Sequence, residues 1–171
     1  MGATRTLTTT AADHRIAALA TLAVTIHVAE AALPSPIPGV KPGLANVITV
    51  AALFLYGWGV AAWVTGLRVV VSGMLLGTFL SPAFILALGG ALASLLALAA
   101  AARLPAVSPL GASLLAAVAH MAGQFLVAWG LFIPHPSLPL LLPPLLAVAV
   151  LTGSLSGIIA LMVVRRLHKP A

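Results

Sequence analysis

The stretch "GLANVITVAALFLYGWGVAAWVTGLRVVVSGML" (residues 43–75) decides how many helices the chain contains. It is apolar for more than the length of one membrane span, which needs about 20 residues. The run "YGWG" at 56–59 interrupts it, and glycine lowers helix stability. We therefore predict two helices, 43–57 and 58–75. The alternative, a five-helix protein in which 43–75 is one broken element, stays open.

The composition indicates a membrane protein. Of the 171 residues, 62% are hydrophobic and 6% are charged, and the mean hydropathy is +1.21. A soluble domain carries about 25% charged residues, so this chain lacks the polar surface that water requires. The eight Lys and Arg residues are too few and too scattered for a nucleic-acid groove. With no cysteine, disulfides, thiolate catalysis, zinc–thiolate sites and iron–sulfur clusters are excluded.

Apolar runs along the rest of the chain predict an all-α polytopic bundle of about six transmembrane helices. We divide the chain into a tail (1–14), one transmembrane domain (15–166) and a second tail (167–171). A cleaved signal peptide is the alternative for the first run, but Arg15 leads directly into a segment long enough to span. The predicted spans are 15–33, 43–57, 58–75, 79–102, 108–133 and 139–166.

The positive charges predict the orientation of the bundle. Lys and Arg concentrate in the cytoplasmic loops of membrane proteins. With both termini in the cytoplasm, six cations lie inside and only Lys41 lies outside, while Arg68 falls within the third span. We therefore expect a multi-pass protein of the cell (inner) membrane, and the basic charge reflects topology. The inside cations are Arg5, Arg15, Arg103, Arg165, Arg166 and Lys169.

The few polar side chains within the spans lie at similar depth. Ionisable groups in the hydrocarbon usually face protein or a water-filled cavity. With a rise of about 1.5 Å per residue, these groups all fall in the outer half of the bundle. We predict that they form one substrate-binding layer open to the outside, with no metal and no cofactor. The predicted binding residues are Glu30, Lys41, Asn46, Arg68, His120 and Gln124, with His27, Thr49 and Ser72 nearby.

Two interpretations of the charged pair stay open. Glu30 and Arg68 are the only opposite charges at similar depth, so they can form a structural ion pair between helices. Alternatively, Arg68 faces an anionic ligand and Glu30 balances its charge when the site is empty. His120 has the same two options, a bond to a backbone carbonyl or contact with the ligand.

The loop after the first span is rich in proline and glycine. Proline fixes φ and glycine allows close approach of the backbone, so the loop is predicted to be a stiff lid. Lys41 and the free N–H groups at the start of the second helix then suggest an anion cradle. In the alternative, the lysine merely reaches lipid headgroups. The predicted lid residues are Pro36, Pro38, Gly39 and Gly43.

Small residues recur every fourth position on the first helix, which is typical of close helix packing. We call these four residues the small-residue ridge. The ridge either packs inside the bundle or docks another membrane subunit. It consists of Ala17, Thr21, Thr25 and Ala29.

Three segments resemble the Gx transporter family, whose members are also labelled component I of heptaprenyl diphosphate synthase. They are "PIPGVKPGLANVIT" (36–49), "LRVVVSGMLLGT" (67–78) and "GASLLAAVAHMAGQ" (111–124). The family is similar to the substrate-binding S components of energy-coupling factor transporters. The resemblance, over about 15–165, implies six helices, a pocket opening outward and a lid in the first loop. Pro42 and Met121 depart from the family pattern.

The resemblance implies a substrate-capture subunit of an uptake transporter rather than an enzyme. The ligand is expected to be an amphipathic or anionic, vitamin-like or isoprenoid-like solute. Because no G-x-x-x-x-G-K-[ST] motif occurs, energy must come from a membrane coupling subunit with ATPase subunits, or from an ion gradient. One Asp and one Glu cannot build the magnesium–diphosphate site of a prenyl synthase. A non-catalytic accessory subunit of a prenyl diphosphate or quinone-related enzyme and a solitary ion-coupled carrier remain alternatives.

Overall fold

The computed structural model describes residues 9–33 and 43–167, which contain six α-helices and no strand. The predicted all-α polytopic fold is confirmed. Five helical segments are long and apolar enough to cross a membrane, so the chain is a multi-pass membrane protein. A π-helical turn (Ala128–Phe132) extends α5, and a 3-10 turn (Leu138–Leu141) precedes α6. The helices are α1 (Ala11–Ala32), α2 (Leu44–Tyr56), α3 (Trp58–Leu75), α4 (Pro82–Ala101), α5 (Pro109–Val127) and α6 (Leu142–Leu167).

A single glycine separates α2 from α3. Gly57 has φ 90° and ψ 172°, a conformation that other residues rarely adopt. The hydroxyls of Thr49 and Thr65 meet at 3.2 Å. These threonines are equally distant from Gly57 along the chain, so α2 and α3 run antiparallel as a tight hairpin. The two-helix prediction is confirmed, and the five-helix alternative is wrong.

The second predicted span is shorter than a membrane crossing. Helix α2 has 13 residues, about 20 Å at 1.5 Å per residue, against about 30 Å of hydrocarbon. It contacts α1, α3, α5 and α6, so α2 is a central, buried helix of the bundle. Its buried residues are Ala45, Val47, Thr49, Val50, Ala51, Ala52 and Leu53.

Helix α1 begins at Ala11, four residues before the predicted start. The Thr10 hydroxyl accepts from the Asp13 N–H (3.2 Å), and the Asp13 carboxylate accepts from the Thr10 N–H (2.7 Å). This is a capping box, which satisfies the free N–H groups of a helix start. The string T-A-A-D at 10–13 was the sequence signal for it.

The apolar core occupies one half of the bundle, which we call the core half. At its end, the Arg15 guanidinium lies 4.6 Å from the centroid of the Tyr56 ring, so the start of α1 meets the end of α2. The antiparallel helices then place Glu30, Arg68 and Gln124 in the opposite half, the cavity half. The core residues are Val47, Val50, Ala52, Leu53, Ala61, Leu98, Ala101, Ala112, Ala116 and Ala160.

Candidate functional site

A cavity of about 340 Å³ fills the cavity half, and all six helices line it. Ala116 belongs both to the apolar core and to the cavity lining, so it marks the floor between the two halves. The volume is within the range of small-molecule sites, roughly 300–1,000 Å³. Among its lining residues are Glu30, Asn46, Arg68, His120 and Gln124, together with His27.

The structure therefore brings together every predicted binding residue that it describes. Lys41 and the lid residues Pro36, Pro38 and Gly39 lie outside the described residues, while Gly43 lines the cavity. The role of these side chains in substrate binding stays a prediction.

Arg68 and Ser72 line this cavity, and each has a buried polar atom without a partner among the described residues. The Nε of Arg68 and the Oγ of Ser72 are buried and have no hydrogen-bond partner in the described part of the chain. Ser72 is 2% exposed and lies one helical turn after Arg68, so both side chains are on one face of α3. A buried guanidinium N–H without an acceptor is costly. The arrangement is suited to an anionic group that accepts from both atoms.

Glu30 has a partner of its own. Its Oε1 accepts from the Leu44 N–H at 2.7 Å, and the side chain is 5% exposed. A carboxylate at a helix N-terminus is favoured by the free N–H groups and the helix dipole. Glu30 therefore caps α2 at the place where the sequence suggested a free anion cradle. The predicted ion pair with Arg68 is not made through the Nε of Arg68, which stays unpaired.

Gly90 on α4 makes room for two predicted site residues on α5. A Cβ at Gly90 would lie 2.7 Å from the Cγ of Gln124 and 2.9 Å from the His120 ring. Both side chains therefore pack directly against the α4 backbone. The close approach of α4 and α5 fixes where His120 and Gln124 meet the cavity.

The chain matches the heptaprenyl diphosphate synthase component I family over residues 19–163. It belongs to this family. The match contains every described site residue and most of the bundle, and it confirms the resemblance seen in the sequence. No curated protein and no solved structure matches the chain. Component I is named as part of a synthase, so the family name implies a partner component.

Two walls of the cavity had no distinct signal in the sequence. Helix α4 contributes only apolar side chains, and alanines are too common in the chain to single them out. Helix α6 contributes Thr152 and Ser156, which are four residues apart and therefore share a face. The Ser156 hydroxyl donates to the Gly43 carbonyl at 3.1 Å, joining α6 to the start of α2. The α4 residues are Ala83, Phe84 and Ala87.

The small-residue ridge lies on the outside of the bundle. All four side chains are exposed. The Thr21 hydroxyl donates to the Ala17 carbonyl (2.8 Å) and the Thr25 hydroxyl to the Thr21 carbonyl (2.9 Å), so both hydroxyls are satisfied within α1. Packing inside the bundle is therefore the wrong interpretation. Docking of another membrane subunit stays a prediction.

Proposed function

We propose that the chain is the substrate-capture subunit of a small-molecule uptake transporter, similar in role to an S component. One observation carries the proposal. Arg68, whose buried Nε has no partner in the described chain, lines a cavity where polar residues from five helices meet. A bundle without a ligand gains nothing from this unused donor, because a buried N–H without an acceptor costs about 1–3 kcal/mol. An amphipathic or anionic, vitamin-like or isoprenoid-like solute supplies the missing acceptor.

The same chain is not proposed to catalyse prenyl transfer. Prenyl synthases hold magnesium-bound diphosphates with several carboxylates, because Mg²⁺ prefers oxygen ligands. This chain has two carboxylates, Asp13 and Glu30. Asp13 closes the capping box of α1, and Glu30 caps α2. We propose that the driving energy comes from a separate membrane coupling subunit with ATPase subunits, in the cell membrane.

Native mass spectrometry of the gently purified protein tests the proposal. We expect a retained small molecule and a lower occupancy for Gln124→Ala, about 5- to 10-fold if one hydrogen bond of about 1 kcal/mol is lost. Leu126→Ala is the matched control, because Leu126 is 59% exposed on the same helix. Lys41→Ala belongs in the series, since Lys41 precedes the cavity-lining Gly43 by two positions. Unchanged occupancy in both Gln124→Ala and Lys41→Ala would contradict the site assignment.

The family name favours a second candidate, a non-catalytic membrane subunit that anchors a soluble prenyl or quinone-related synthase. This candidate predicts co-purification of a soluble synthase, with no retained ligand and no uptake. Liposomes that contain only this chain test the remaining candidate, a solitary ion-coupled carrier. Ligand uptake by such liposomes would indicate a solitary ion-coupled carrier, whereas uptake that needs additional subunits supports the capture role.

A further inference from the structure

We propose that Arg68 and Ser72 form a two-donor anchor for one singly charged oxyanion, and that the apolar body of the ligand lies along α4. This inference rests on the proposed function and names the chemical class of its ligand. The oxyanion is a carboxylate of a free small molecule or the phosphodiester of a lipid headgroup. The anchor is expected to bind a diphosphate less tightly than a monoanion.

The anchor follows from two atoms that the protein leaves unused. Ser72 is more than nine-tenths buried, lines the cavity and has no partner for its hydroxyl in the described chain. The Nε of Arg68, one helical turn earlier, is also buried and also has no partner in the described chain. A buried donor without an acceptor costs about 1–3 kcal/mol. One ligand oxyanion removes both penalties, because its oxygens accept from the guanidinium and from the hydroxyl together.

The charge of the cavity selects a single negative charge. Among the described lining residues, Arg68 is the only side chain that is always cationic, and Glu30 contributes the opposite charge. Glu30 already neutralises the start of α2 through its bond to Leu44. A monoanion therefore finds one cation, whereas a diphosphate brings excess negative charge beside a buried carboxylate.

The volume of the cavity limits the size of the ligand. About 340 Å³ is near the lower end of the range for small-molecule sites, roughly 300–1,000 Å³. A heptaprenyl chain is several times larger. The ligand that fits inside has a short apolar body, and a longer chain must extend out of the cavity.

The α4 wall gives the ligand its orientation. Phe84 is 8% exposed, and its ring packs edge-to-face on Phe79 with centroids 4.9 Å apart. Gly73 on α3 admits this ring, because a Cβ there would lie 2.8 Å from the Phe84 Cδ2. The wall beside the anchor is thus apolar and firmly packed. A ligand with a charged head and an apolar tail fits both the anchor and the α4 wall. Its head lies at Ser72, and its tail lies along Ala83, Phe84 and Ala87.

The test compares four probes on the full chain in a mild non-ionic detergent, by isothermal titration and native mass spectrometry. The probes are decanoate, decanol, geranyl diphosphate and phosphatidylglycerol. We expect decanoate to bind at least 10-fold more tightly than decanol or geranyl diphosphate. If phosphatidylglycerol also binds tightly, the natural ligand of the anchor is a lipid headgroup. If it does not bind, the natural ligand is a free acid. Both outcomes agree with a monoanion.

The variant Ser72→Ala isolates the anchor. We expect it to weaken decanoate binding about 10- to 150-fold, as for loss of one hydrogen bond to a charged group, and to weaken decanol binding much less, because its hydroxyl is neutral. Ser94→Ala is the matched control, because Ser94 is a buried serine of α4 that does not line the cavity. Equal binding of decanoate and decanol, or an unchanged ratio in Ser72→Ala, overturns the anchor while the capture role survives. Failure of every probe to bind also overturns the anchor, and the capture role is then overturned only if the purified protein retains no ligand either.

Discussion

Replacement of Arg68 by alanine should abolish most ligand binding while the bundle stays folded. Truncating one partner of a buried, hydrogen-bonded charge pair costs about 2–5 kcal/mol, which corresponds to a loss of about 30- to 5,000-fold in affinity. The Nε of Arg68 has no protein partner within the described residues, so its removal breaks no internal bond there. Glu30 stays bonded to the Leu44 N–H when Arg68 is removed, so we expect the loss of folding stability to be small.

Native mass spectrometry measures the ligand occupancy of Arg68→Ala, and thermal unfolding of the empty protein measures its folding stability. Arg68→Lys keeps the charge but loses the planar donor set, so we expect intermediate binding. Arg103→Ala is the control, because Arg103 is an exposed arginine beyond the end of α4. Wild-type occupancy in Arg68→Ala would show that the cavity does not use this cation. Unfolding of Arg68→Ala would instead assign Arg68 a structural role.

Substitution of Gly123 by valine should strongly destabilise the protein. A Cβ at Gly123 would lie 2.8 Å from the carbonyl oxygen of Gly89 and 2.6 Å from the Cβ of Ala93. The first of these is backbone and cannot rotate away, so α4 and α5 must separate. Overpacking of this kind costs about 1–3 kcal/mol or more, and we expect the midpoint of thermal unfolding to fall by about 10 °C.

Gly66→Val is the matched control for this substitution. Gly66 also lies inside a helix, α3, but a Cβ there meets nothing within 4 Å. We expect a shift of at most a few degrees for Gly66→Val. Equal loss of stability in the two variants would mean that helix propensity, and not the α4–α5 contact, determines the effect. Because His120 and Gln124 pack on α4 at Gly90, Gly123→Val should also weaken ligand binding.

The ends of the later helices were predictable because short-range chemistry sets them. The predicted span 108–133 corresponds to Pro109–Phe132, and 139–166 to Leu138–Leu167. Ser108 lies before a proline, and its hydroxyl accepts from the Gly111 N–H at 3.2 Å. A serine cap followed by proline is a strong start signal for a helix. The early start of α1 was missed, although its capping box is also a local signal.

The layer of polar side chains was predictable from depth alone. Every helix rises by the same amount per residue, so position along the chain gives the distance from the membrane surface. Depth does not give the direction in which a side chain points. The bond from Glu30 to Leu44, the unused hydroxyl of Ser72 and the contribution of Ser156 depend on how helices rotate and pack, and the sequence has no separate signal for these contacts.

The division of the bundle into a core half and a cavity half separates folding from recognition. The ten side chains of the core share only Ala116 with the cavity. Changes at positions such as Val69, Ala87 and Val148 therefore alter the shape offered to a solute and leave nine of these ten core side chains outside the altered surface. A scaffold of this kind can acquire new ligands in evolution, or in a directed screen, when a few residues of the cavity half are exchanged.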